Sequence, residues 1–98
     1  LERENYRQKY LAAAEILAGL HLQAQHWEDV LRVCQGALRR DKCWEPGYFL
    51  MMKAHVAQGN IAQAKAVYQR CETVLRDDLG LEPSGETRRL CQLITSDY

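Results

Sequence analysis

The feature that most constrains this chain is the stretch over residues 59–68, in which one helix ends and another begins. Gly59 favours the left-handed backbone that ends a helix, and Asn60 is a residue type that caps the next one. Gln63, three residues later, is placed to bond back to the Asn60 amide, as in a capping box. Apolar side chains then recur at helical spacing through Tyr68. The stretch therefore predicts two helices joined by a tight turn.

Helical periodicity continues on both sides of this turn and predicts five helices, over residues 2–24, 27–40, 46–58, 61–78 and from 84 onward. The apolar face of the first helix is predicted to comprise Tyr6, Tyr10, Ala13, Ala14, Leu17, Leu20 and His21. Pro46 suits the first position of the third helix, and Ser84 is placed to cap the fifth. No segment alternates apolar and polar residues with the period of a strand, so the predicted class is all-α.

The Gly59 turn matches an earlier turn at Gln25, at an offset of 34 residues. With this offset the apolar positions coincide in the pairs Leu17/Met51, His21/His55, Trp27/Ile61, Val30/Ala64, Cys34/Tyr68 and Ala37/Cys71. Two helices per 34 residues, with a tight turn midway, resemble the tetratricopeptide repeat. We therefore predict a tetratricopeptide-like right-handed stack of about five helices, or two and a half helix-turn-helix repeats. The fifth helix would cover the end of the stack.

Six residues are predicted to have structural roles, on the apolar helix faces, in the central turn and in the break before the fifth helix. They are Trp27, Tyr68, Gly59, Asn60, Gly80 and Pro83. Glycine and the residue before a proline both resist helical geometry, so the segment around the last two residues is predicted to be a loop.

Composition excludes several classes of function. Thirteen basic and thirteen acidic residues give a net charge of zero, so the chain lacks the field that attracts nucleic acid, and we expect no direct nucleic-acid contact from it. No apolar run approaches the roughly 20 residues of a membrane span, so we expect no membrane contact. The four cysteines lack Cys-x-x-Cys spacing and are predicted to be reduced, mostly buried thiols of a cytoplasmic protein.

Neither catalysis nor a cofactor is predicted, because the sequence contains no nucleophile, phosphate-binding or metal motif. His21 and His55 occupy equivalent repeat positions and could face each other as metal ligands, but no carboxylate or cysteine shares their spacing. We therefore predict that both histidines pack in the core and that the protein is not an enzyme.

A stack of helix pairs has a concave face formed by the first helix of each pair, and this face is the predicted interaction surface. Its candidate residues are Glu15, Leu22, Phe49, Lys53 and Val56. Trp44 lies in a connector outside both apolar faces, where it could be an exposed contact anchor or could pack beneath the connector. The mixed character of this surface favours a hydrophobic contact from another domain or a second protomer.

The segment from Leu79 to Thr87 is the most specific part of the sequence. It reads Leu-Gly-Leu-Glu-Pro-Ser-Gly-Glu-Thr and resembles the signature of the bacterial transcriptional activator domain (BTAD) of antibiotic-regulatory (SARP-type) transcription factors. The start of the chain, from Arg3 to Leu11, resembles the charged first helix of that domain. One difference is Gly85, where family members often have a second proline.

The resemblance implies a role in transcription regulation. It implies that residues 1–98 form a single domain of a longer regulator, with DNA contacts made by a separate winged-helix domain. It also implies self-association as a homodimer, with other domains of the same regulator and the transcription machinery as further partners. The alternative is a generic tetratricopeptide scaffold that binds a peptide or a partner helix in its concave groove.

Overall fold

In a computed structural model that describes residues 2–97, the chain folds into five α-helices. They are α1 (Glu2–Gln23), α2 (Trp27–Arg40), α3 (Glu45–Ala57), α4 (Ile61–Leu79) and α5 (Gly85–Asp97). Residues 2–97 contain no strand, which confirms the predicted all-α class. Each boundary lies close to its predicted place, and at most of them a glycine, a proline or a capping residue marks the end of the helix.

The helices stack in chain order as two pairs followed by a half-pair. α1 packs on α2, α2 on α3, α3 on α4, and α4 on α5. The stack is 18 Å across its shortest dimension, which is about two helix diameters. This arrangement is the stack of helical repeats that the sequence predicts.

Two apolar clusters hold the stack together. The larger cluster joins the first four helices, and its most buried members are Val30, Cys34, Ala37, Tyr48, Ala54 and Cys71. The smaller cluster, built on Met52, Ala64 and Ile94, attaches α5 to the second pair. Trp27 is half-buried against the larger cluster, and Tyr68 is half-buried against the smaller one.

The turn between α3 and α4 is a Schellman motif centred on Gly59. Gly59 has a φ of 77°, and the Asn60 amide donates to the His55 carbonyl at 2.8 Å. Asn60 has a φ of −86° and a ψ of 66°, and its side chain makes no capping hydrogen bond. Because this backbone lies outside the extended region of a capping residue, and because the Asn60 amide is already bound to His55, the predicted capping box with Gln63 is wrong.

The turn between α1 and α2 has the same geometry, 34 residues earlier. Gln25 takes the left-handed position with a φ of 62°, although it is not a glycine. The His26 amide donates to the His21 carbonyl at 2.9 Å. The sequence offset therefore corresponds to a repeated backbone structure as well as a repeated apolar pattern.

The segment between α4 and α5 and the start of α5 are hydrogen-bonded to α3. Gly80 ends α4 with a φ of 65°, and Pro83 is buried. The Ser84 hydroxyl accepts a hydrogen bond from the Thr87 amide at 3.4 Å, which is the cap that the sequence predicts. Glu45, in the first turn of α3, accepts hydrogen bonds from the Ser84 amide at 2.8 Å and the Thr87 hydroxyl at 2.6 Å. Burial alone would raise the pKa of Glu45, but these hydrogen bonds hold it below its ordinary value.

Candidate interaction surface

One long face of α1 is apolar and exposed. This α1 outer face comprises Tyr6, Tyr10, Ala13, Leu17 and Leu20. The sequence prediction assigned these residues and Ala14 to one apolar face of the helix, but only Ala14 is buried, so the predicted face is not the one that packs on the stack. α1 packs on the stack through the residues Leu11, Ala14 and Ala18. The helix therefore has two apolar faces, and helical periodicity alone does not distinguish the covered face from the exposed one.

The equivalent positions of α3 are covered. Tyr10 is 38% exposed, whereas Trp44, at the same repeat position, is 8% exposed. Leu17 is 46% exposed, whereas Met51 is 6% exposed. Side chains that are buried in the second repeat thus have exposed equivalents in the first repeat.

In the second repeat this face is covered by α2. A Cβ added at Gly47 would lie 3.2 Å from the Leu38 side chain of α2 and 2.7 Å from the Trp44 ring. Trp44 is buried in the larger cluster, so it packs beneath its connector and is not an exposed anchor. Ala13, the equivalent of Gly47, is exposed. No residue within the range 2–97 covers the α1 outer face in the way that α2 covers α3.

A groove separates the α1 outer face from α2. It has a volume of about 240 Å³ and is lined by Tyr10, Ala13, Ala14, Leu17, Arg32, Val33 and Gly36. At one end, the Arg40 guanidinium lies over the Tyr10 ring, 4.4 Å from its centroid. A mostly apolar groove beside a helix is the kind of surface that binds the apolar face of another helix.

The concave face predicted from the sequence is partly an open cleft and partly core. Glu15 and Phe49 line a cleft of about 380 Å³, and the Lys53 ammonium lies 5.2 Å from the centroid of the Phe49 ring. Leu22 and Val56 are half-buried, each against one of the two core clusters. These two side chains therefore contribute mainly to stability and offer little surface to a partner.

The cleft is more acidic than the sequence prediction anticipated. Glu45 and Glu86 line it together with Glu15. Sequence reasoning missed Glu86 because α5 is out of register with the repeats, so the offset of 34 does not predict which of its residues reach α3. It missed Glu45 because the equivalent residue of the first repeat is Leu11, which is not part of the predicted concave face. The lining of the cleft thus combines three glutamates with apolar residues that include Phe49.

The four cysteines are free thiols, and burial makes two of them unreactive. Cys34 and Cys71 are buried, and loss of solvation raises the pKa of each to about 12. Cys43 is half-buried. Its pKa is raised mainly by burial and, to a smaller extent, by the nearby Asp78 carboxylate. None of these three thiols has the lowered pKa of a nucleophile.

The two repeat-equivalent histidines have different environments. His55 is buried, as predicted, and burial lowers its pKa. His21 is half-exposed beside His26 and Asp29, so the prediction of core packing for His21 is wrong. Sequence reasoning missed this cluster because its members lie on both sides of a turn, although the Schellman geometry of that turn would have indicated it.

Comparison with known families identifies the kind of protein to which this fold belongs. The family model of the bacterial transcriptional activator domain matches residues 1–95. The chain belongs to this family. No curated protein and no solved structure gives a significant match. Within the described part of this BTAD domain, no helix has both the length and the apolar content needed to cross a bilayer.

The structure explains several residues of the BTAD signature segment. Gly80 ends α4, Pro83 is buried, and Thr87 binds Glu45 of α3. The signature is thus the connection that fastens the final half-repeat onto the second helix pair.

Proposed function

We propose that this BTAD domain is a non-catalytic protein-interaction and self-association domain of a bacterial transcriptional regulator. The observation that carries the proposal is the exposed α1 outer face, whose equivalent in α3 is covered by α2. Uncovered apolar surface of this kind is costly in water and marks an interaction site. Its occupant is a helix that presents an apolar face, as α2 does to α3.

The net charge of this domain supports the assignment of DNA binding to a separate domain. Its net charge is zero, and nucleic-acid affinity depends mainly on basic residues that neutralise phosphates. We assign DNA contacts to a winged-helix domain of the same regulator, as the family resemblance implies. The α1 outer face then serves two partners, a second copy of this domain and the other domains of the regulator.

Self-association can be tested on the isolated domain by sedimentation velocity over a range of concentrations. We expect a dimer that dissociates when Leu17 and Leu20 are both changed to glutamate, because two buried charges oppose helix-on-helix packing. The control is Leu93→Glu on α5, since Leu93 is 60% exposed and Leu20 is 58% exposed. A wild-type domain that stays monomeric at high concentration contradicts self-association through this face.

The second partner can be tested in the full-length regulator with a promoter–reporter assay. The same double substitution should lower activation. At concentrations where the wild-type domain is monomeric, the purified domain should keep its unfolding midpoint, because both leucines are exposed in this structure. Leu93→Glu should leave activation unchanged. If the double variant activates normally, the α1 outer face is not the functional surface.

The acidic cleft supports a second candidate function, a scaffold that binds an extended peptide. Glu15, Glu45 and Glu86 line the same cleft as Phe49, so the cleft would favour a basic segment with an apolar side chain. Fluorescence anisotropy with a labelled Lys/Leu peptide tests this function. Phe49→Ala should weaken binding, whereas the Leu17/Leu20 double variant should not. A peptide that binds both variants equally argues against the cleft.

A further inference from the structure

Three potential metal ligands lie together at the turn between α1 and α2. One ligand atom from each of His21, His26 and Asp29 lies within 4.8 Å of the other two. Nδ1 of His21 is 3.9 Å from Oδ2 of Asp29, and Nδ1 of His26 is 4.0 Å from the same oxygen. All three side chains are partly exposed, so an ion can reach them from solvent.

The backbone of the turn places these side chains. His21 and His26 are the two residues joined by the long hydrogen bond of the Schellman motif, whose side chains normally contact each other. Their ring centroids are 5.7 Å apart. Asp29 is the third residue of α2, where a carboxylate is favoured by the helix dipole and points back toward the turn. The cluster is therefore held by regular secondary structure on both sides.

We propose that His21, His26 and Asp29 bind one Zn²⁺ ion, with water completing the coordination. Two imidazoles and one carboxylate with an open position form a common ligand set for this ion. Around tetrahedral zinc, neighbouring ligand atoms lie about 3.3 Å apart. Small rotations of these partly exposed side chains would bring the three ligand atoms to that separation. This inference does not depend on the proposed function of the α1 outer face.

Arg32 supports the arrangement. Its guanidinium contacts Oδ1 of Asp29 at 2.5 Å, whereas the histidine contacts are to Oδ2. Arg32 thus orients the carboxylate through one oxygen and leaves the other oxygen for the ion. Orienting a ligand in this way is the usual role of a residue outside the ligand set.

The second repeat provides an internal comparison. Its turn has the same backbone hydrogen bond, but the equivalent residues are His55, Asn60 and Gln63. His55 is buried and the other two are weak zinc ligands, so the second turn forms without a ligand set. The fold of the turn therefore does not require the first cluster.

Isothermal titration of the metal-free domain with ZnCl₂, in a buffer that does not chelate, tests the proposal. We expect one equivalent to bind and MgCl₂ not to bind, because Mg²⁺ prefers oxygen ligands. His26→Asn and Asp29→Gln introduce the residues of the second repeat, so both variants should fold. Each should weaken zinc binding by at least the ~10- to 100-fold that loss of an outer-shell partner causes.

Imidazole NMR signals identify the ligands directly. Zinc should shift the ring resonances of His21 and His26 and leave those of buried His55 in place. Cys43→Ser is the matched control and should not change the affinity, since Cys43 lies in a different part of the stack. The proposal is overturned if the wild type binds no zinc, if His26→Asn binds as tightly as the wild type, or if Cys43→Ser abolishes binding.

Discussion

The first helices of the two repeats, α1 and α3, have matching backbone patterns and opposite surroundings. Met51 of α3 and Trp44, directly before the start of α3, are buried, whereas the equivalent Leu17 and Tyr10 of α1 are exposed. The burial of a repeat position is therefore a property of its neighbour and not of the position itself. At the end of a stack, a core-forming pattern becomes a surface on which another helix can pack.

The largest expected difference between the two helices is in the cost of shortening an apolar side chain. Met51→Ala should lower the free energy of unfolding by about 2–5 kcal/mol, because it leaves a cavity beneath α2. Leu17→Ala should cost less than about 1 kcal/mol in the isolated domain, at concentrations low enough for it to be monomeric. Urea denaturation measures both values. Similar losses in the two variants under monomeric conditions would mean that the α1 outer face is covered within the same chain.

A glycine-to-alanine change should have opposite signs in the two helices. Gly47→Ala should cost up to about 2 kcal/mol, because the added methyl would meet Trp44 and Leu38 and this clash outweighs the gain in helix propensity. Gly19→Ala in α1 should stabilise by up to about 1 kcal/mol, since no atom lies within 4 Å of the added Cβ. Thermal unfolding followed by circular dichroism compares them. A stabilising Gly47→Ala variant would contradict the close approach of α2.

Substitutions at the left-handed residues of the two turns should change stability in opposite senses. Gly59→Ala should cost about 1 kcal/mol, because Gly59 has a φ of 77° with open space around it, so the loss comes from backbone strain alone. Gln25→Gly should gain up to about 1 kcal/mol by removing the same strain at a φ of 62°. The two unfolding midpoints should move in opposite senses. A loss of stability in Gln25→Gly would show that the glutamine side chain contributes more than the strain costs.

The smallest expected effect is a pH dependence of stability that comes from His55, the buried histidine of the second repeat. Burial lowers the pKa of His55, so as pH falls through the unfolded value of about 6.5 the unfolded chain binds the proton first. The stability that His55 confers in its neutral form is therefore present above that pH and is lost below it. His55→Leu should flatten the dependence of unfolding free energy on pH between 7.5 and 5. An unchanged slope in His55→Leu would contradict the burial of this imidazole.

Helices and turns could be predicted from the sequence because each signal is local. Glycine at positions 59 and 80, proline at 46 and serine at 84 mark helix ends whatever lies nearby. The covered face of α1 could not be predicted, because α1 is apolar on two sides and the choice depends on which helices pack against it. Trp44 was ambiguous for the same reason, since its burial depends on α2.

The candidate site was predicted only in part. The offset of 34 identified Glu15 and Phe49, which do line a common cleft, but it could not place Glu45 or Glu86 there. Those residues meet through α5, whose longer connection breaks the repeat register. The His21, His26 and Asp29 cluster was missed because spacing was compared between repeats, and the ligands meet within one turn.

The hydrogen bonds from Ser84 and Thr87 to Glu45 join residues 39 and 42 positions apart in the chain. Most other contacts link neighbouring helices, whereas these bonds join the start of α5 to α3, so they can form only after the α3–α4 pair is in place. The last half-repeat should therefore dock late in folding and detach first under native conditions. Amide hydrogen exchange in Glu45→Gln should show faster opening confined to α5, and uniform acceleration across all helices would indicate that the chain opens as one cooperative unit.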